Sequence, residues 1–280
     1  LVVSAFLFSG AAAQDQVPAL EQYLRRIGLS AEEIAAADSG RAVVQLLPTK
    51  HKRDVAVFGM IRVRAAPDTV IAYAQPERFL SGQAGRFHIF GTPPTSADVQ
   101  DLAFAESEYR DLEKCRPGDC DFKLPGSAMP VFVQEIDWSA PSAKAEADQR
   151  LRASLLRLTT DYIGQGDAAI LSYDDKHGVR SSEVFLELTT PSDDLYEYPP
   201  ELHRYLTTYP SGRLEQARDV LYWSEFRLPK LRPTLTLNHA VVYQPTSPLS
   251  SVVVIARKQL YASHYFEGAF ELLSIVNAAW

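Results

Sequence analysis

The chain has 280 residues, 46% hydrophobic and 22% charged, a composition of globular rather than disordered or collagen-like sequences. Its 28 Lys and Arg against 35 Asp and Glu leave a formal net charge of −7, which argues against a general nucleic-acid binder. A chain of this length hides roughly three quarters of its unfolded surface, enough for a sizeable core or an internal cavity.

The first 13 residues, LVVSAFLFSGAAA, carry no charge. Their apolar run is too short to cross about 30 Å of hydrocarbon as a helix. It is read as the apolar part of a secretory leader cut after Ala13, within the small-residue run Ala11-Ala12-Ala13; a buried first strand or helix is the alternative. Residues 14–53 form a small helical segment, with helices predicted over 14–26 and 31–37. Ser30 and Glu33 supply a capping box for the second. Residues 54–280 are taken as one domain.

That domain opens with a strand over 54–64, where Val55, Val57, Gly59, Ile61 and Val63 share one face. Pro67 and Asp68 begin a helix over 68–79. A short strand follows at 87–90. Residues 101–124 are read as a charged hairpin around the turn Cys115-Arg116-Pro117-Gly118-Asp119-Cys120. Pro then Gly favours a tight reversal, which brings the two thiols within disulfide range in an oxidising compartment. A redox pair lacks the two-residue spacing of thioredoxin-type motifs, and zinc needs more than two thiols. Leu151, Leu155 and Leu158 stripe a long helix over 143–163. A strand at 168–173 and helices at 182–188 and 199–206 complete the middle.

Strands over 220–226, 234–243 and 251–261 form the economical antiparallel meander. Residues 264–278 are read as a closing helix, with Glu267, Glu271 and Ser274 on its polar side. The fold class is therefore α+β: an antiparallel curved sheet packed on a long C-terminal helix, with inserted helices.

Two stretches, 57–71 and 223–276, resemble the helix-grip architecture of START-like lipid-binding domains. That resemblance implies a cavity between the curved sheet and the last helix. The run Lys114-Cys-Arg-Pro-Gly-Asp-Cys-Asp-Phe-Lys-Leu124 with Tyr261-Ala-Ser-His-Tyr-Phe266 is similar to a set of exported bacterial proteins of no assigned function. It implies a bacterial, periplasmic or secreted setting and no chemistry.

No zinc-protease His-Glu-x-x-His, nucleophile elbow, phosphate loop or dinucleotide loop occurs, so no cofactor or metal is expected. Among the six histidines, His239 shares strand parity with Leu235, Leu237, Val241 and Tyr243, and so faces inward. It is either a core histidine bonded to a tyrosine or carbonyl, or a polar anchor in a cavity. Trp223, Glu225 and Tyr261 come from neighbouring strands, and aromatic crowding of this kind is commonly core. Arg257 is either solvated or inward; if inward it needs a partner, Glu225 or an acidic ligand. His264 is placed at the surface where the last helix begins.

Three functions follow as expectations. The first is an exported protein holding an apolar or lipid-like ligand at His239, Tyr243, Trp223, Glu225, Arg257 and Tyr261, with no nucleic-acid partner and no stable membrane span after leader cleavage. The second is a hydrolase using His239 with Glu225. The third is an envelope interaction module docking through the disulfide hairpin.

Overall fold

The computed structural model describes residues 2–9, 24–81, 85–176, 178–189, 200–227, 229–245 and 252–277. The expected cut at Ala13, most of the first predicted helix and His177 lie outside these residues. The elements in chain order begin with β1 (Val2–Ser9), α1 (Ala31–Asp38), β2 (Val43–Leu47), β3 (Ala56–Arg62), α2 (Pro67–Ala74), α3 (Pro76–Ser81) and β4 (Gly85–Ile89). They continue with α4 (Glu106–Leu112), α5 (Met129–Gln134), α6 (Ala143–Gln165), α7 (Ser181–Thr189) and α8 (Pro200–Thr208). The chain then runs through β5 (Ala217–Phe226), β6 (Thr234–Tyr243), β7 (Val252–Ala262) and β8 (Phe270–Asn277).

The fold is α+β. Strands β4 to β8 form a five-stranded antiparallel array in the order β8-β7-β6-β5-β4, and β2 and β3 form a separate antiparallel hairpin. Strand β1 lies between β3 and β8, parallel to both, and joins the two into one eight-stranded sheet. Residues 2–9 of the stretch read as a leader thus form an inner strand, in line with the alternative reading of the sequence.

The expected long C-terminal helix is not there: the last described element is β8, which runs antiparallel to β7. The helix-grip arrangement loses its helical half with it. The physical reason is burial on both faces. Phe270, Leu272 and Ser274 face one way while Leu273 and Ile275 face the other, and all five are buried. A strand covered on both sides has a nearly continuous apolar run, which periodicity alone does not separate from a buried helix. The same double burial corrects the reading of β6, whose supposedly wetter parity places Thr234 and Thr236 in buried sites.

Helix α1 covers the buried side of the β2–β3 hairpin, and α6, α7 and α8 cover the same face farther along. Helices α2 and α3 cover parts of the other face. Predicted as one helix, α2 and α3 are two because Pro76 forces Gln75 out of helical geometry, to φ −55° and ψ 141°.

The charged hairpin expected at 101–124 is instead α4 followed by the disulfide turn. Tyr109 Oη of α4 donates to Asp148 of α6 at 3.0 Å, which fixes α4 against the long helix. Cys115 and Cys120 form a disulfide with Cα atoms 4.7 Å apart. Replacing both by Ala is expected to lower stability by roughly 2 kcal/mol in urea unfolding, the loop-closure value for so short a ring. The strand expected at 168–173 is a 3-10 turn (Gly166–Ala169) with one isolated bridge at Tyr173.

Candidate functional site

Register places His239 of β6 directly opposite Lys258 of β7, on the face covered by α6 to α8. Asp219 of β5 shares that face one diagonal step away. Helix α6 presents a stripe of buried side chains, Ala147, Leu151, Leu155, Thr159 and Tyr162, whose last member reaches His239. Gly166 ends α6 at φ +60°, and a Cβ there would sit 1.8 Å from the Tyr209 carbonyl oxygen. Glycine at this position therefore permits the close turn that delivers Asp167 to Lys258.

The result is a polar cluster inside the core. The Tyr162 hydroxyl lies 2.9 Å from His239 Nδ1, and His239 Nε2 lies 2.8 Å from Asp219 Oδ1. Tyr205 Oη donates to the other Asp219 oxygen at 2.7 Å. Lys258 Nζ donates to Asp167 at 2.5 Å and to the Leu206 carbonyl at 3.2 Å, and it sits 4.2 Å from the centre of the Phe185 ring. His239, Tyr162 and Lys258 are all fully buried.

Electrostatics assigns the protons. Burial pushes His239 below its ordinary value, against the pull of Asp219. Burial alone raises an acid, but hydrogen bonds from His239 and Tyr205 outweigh it and hold Asp219 below the usual carboxylate range. Burial and the Asp167 charge push Tyr162 well up. The neutral imidazole thus donates Nε2–H to the Asp219 carboxylate and accepts the Tyr162 proton at Nδ1. Burial also lowers Lys258, against the attraction of Asp167. The cluster spans from the sealed core to Asp219, whose side chain is about one third exposed. Among the described residues, His239 lines none of the clefts of about 280, 380 and 640 Å³.

A cleft of about 640 Å³ runs along the other flank of α6. Its apolar walls include Leu151, Leu155, Phe132 and Leu171, with Tyr173 and Tyr261 behind them. A register shift in the β6–β7 pairing leaves Leu260 as an extra residue, so Leu260 and Tyr261 both join the core beside α6. The Tyr261 ring lies 5.5 Å from that of Tyr173, and its hydroxyl donates to the Lys123 carbonyl at 3.2 Å. The Tyr173 hydroxyl is buried beside Ser181. Arg150 at the rim is held by Glu135 and Glu146, whereas Arg157 is exposed at the same rim.

The structure scatters the expected site residues, with His239 in the core cluster and Tyr261 at the cleft. His239 takes the core role, bonded to a tyrosine. Glu225 does not approach it: its carboxylate is shared by Arg86 at 2.6 Å and Arg227 at 3.1 Å. Trp223 donates its indole N–H to the Asp98 carbonyl, and Tyr243 donates to Glu201 of α8. Arg257 is inward but on the opposite face, 2.7 Å from Glu271 and stacked 3.8 Å over the Phe79 ring. Its partner is Glu271 rather than Glu225, because β8 brings Glu271 directly across from it. His264 is buried rather than at the surface, held by Glu108 at 2.8 Å and the Asp121 carbonyl at 2.7 Å. Of the expected set, Tyr261 alone lines the cleft.

Sequence reading missed Lys258, Asp219, Asp167, Tyr162 and Tyr173. Parity with Val254 and Ala256 marks Lys258 as inward, and the i, i+4 stripe marks Tyr162. Asp167 and Tyr173 sit in turns where no periodicity operates. Comparison with protein-family models, curated proteins and solved structures gives no match for this chain.

Proposed function

We propose that the chain is an exported binding protein holding an apolar or amphipathic, lipid-like ligand in the cleft along α6. The observation that carries this reading is the cleft itself: about 640 Å³, walled by leucines and aromatics. Small-molecule sites typically occupy about 300–1,000 Å³ and combine apolar walls with a few placed polar groups. The exposed Arg157 guanidinium lining the cleft suits a carboxylate or phosphate head group. Export is supported by the disulfide, since such bonds persist in oxidising compartments. Among the described residues no helix is long and apolar enough to cross a membrane.

The test is a bulky residue at Ser154, which is exposed and lines the cleft. Ser154→Trp is expected to weaken binding of the probe N-phenyl-1-naphthylamine by about tenfold or more in a fluorescence titration, because it occupies apolar volume. Its melting temperature stays that of the parent. Equal probe binding by parent and variant contradicts the proposal.

A further inference from the structure

One corner of the sheet combines two features that neither the core cluster nor the cleft uses. On the β2–β3 hairpin, Val43, Leu47, Ala56, Phe58 and Met60 pack under α1. The other face turns Val44 and Leu46 outward, 70% and 73% exposed, and Val55 follows at 48%. Register sets Val44 opposite Gly59 and Leu46 opposite Val57, so these side chains share one face. Helix α2 packs on β1 and β8 of that face and leaves this corner uncovered.

The turn joining the two strands is Lys50-His51-Lys52-Arg53, with all four side chains exposed in a chain whose net charge is −7. The turn has a fixed shape: Thr49 Oγ1 donates to the His51 carbonyl at 3.0 Å, and the Asp54 amide donates to the same carbonyl at 3.0 Å. Arg53 lies 3.4 Å from Glu267, yet its side chain is still 78% exposed. Asp54 is the acid within the turn; the three Lys and Arg outnumber it.

We propose that this hairpin docks the protein on an anionic lipid bilayer, with the basic turn among the head groups and Val44, Leu46 and Val55 at the acyl boundary. Charge complementarity selects this occupant: Lys50, Lys52 and Arg53 outnumber Asp54 and the neighbouring Glu267, while the rest of the chain carries the acidic surplus. Neither signal alone holds a protein to a membrane; a basic patch and a small apolar insert reinforce each other. A nucleic acid has no use for the aliphatic side chains beside the turn. The inference stands independently of the cleft.

The test is co-sedimentation of the full chain with vesicles of phosphatidylglycerol and phosphatidylcholine, or of phosphatidylcholine alone. Binding is expected to be about tenfold stronger on the anionic vesicles and to fall with added salt. The double variants Lys50→Glu/Lys52→Glu and Val44→Ser/Leu46→Ser are each expected to lose about fivefold or more, with circular dichroism unchanged. Ser154→Trp is expected to bind vesicles as the parent does. Equal affinity for the two vesicle types, no sedimentation, or variants that bind like the parent overturns the proposal.

Discussion

Asp167→Ala is expected to lower the unfolding free energy by about 3–5 kcal/mol, the cost of leaving a buried charge without its partner. Lys258 is fully buried, its ammonium ion held by Asp167 and the Leu206 carbonyl. Removing the carboxylate leaves one carbonyl and an aromatic face to stabilise that charge. Removing the charge itself has the opposite character. Lys258→Met keeps the aliphatic stem beside Phe185 and discards the desolvation cost, so it is expected to be nearly neutral. The double variant Asp167→Ala/Lys258→Met is then more stable than Asp167→Ala alone. Urea unfolding of the three variants reads this directly; equal losses in Asp167→Ala and Lys258→Met contradict it.

His239→Ala is expected to cost about 3 kcal/mol near neutral pH, because it opens a cavity and strands the Tyr162 hydroxyl. The imidazole also sets an acid limb. Its folded value lies below the ordinary 6.5, so below that pH the unfolded chain takes up a proton that the folded chain refuses. Stability is therefore complete above pH 6.5 and falls as the pH drops toward the folded value, by up to about 1.4 kcal/mol per unit. His203, also lowered by burial, adds with the same sign. Asp219 acts elsewhere: its contribution is present above its ordinary 3.8 and is lost only on further acidification. Unfolding measured at about pH 7.5 and about pH 5.5 is expected to show a larger drop for the parent than for His239→Ala. An equal drop in both contradicts the assignment.

Much of the sheet was legible because β3, β5, β6 and β7 are runs of β-branched and aromatic residues bounded by turn residues. Helix α6 was legible from its leucine stripe. What misled is burial on both faces of inner strands. In β8 the segment Phe270-Glu-Leu-Leu-Ser-Ile-Val-Asn277 satisfies a helical stripe as well as an alternating strand, and β7 on one side and β1 on the other decide the outcome. Reading that segment as a helix also put Glu271 on a solvated face and hid the partner of Arg257. The charged residues of 106–113 suggested a half-wet hairpin, yet Tyr109 and Leu112 are spaced for a helix that packs one side on the core.

The core cluster was legible in one member, His239, whose parity placed it inward. Its partners come from α6, a glycine-ended turn and β5, and no local pattern links those positions. The cleft was less accessible still, since its floor depends on a bulge at Leu260 and on Tyr173 in an irregular segment.

Native mass spectrometry of the protein purified from its own host tests the binding reading most directly. The account predicts a retained amphipathic small molecule, released on denaturation and missing from Ser154→Trp prepared in the same way. A parent protein that carries nothing and also fails to take up N-phenyl-1-naphthylamine contradicts it.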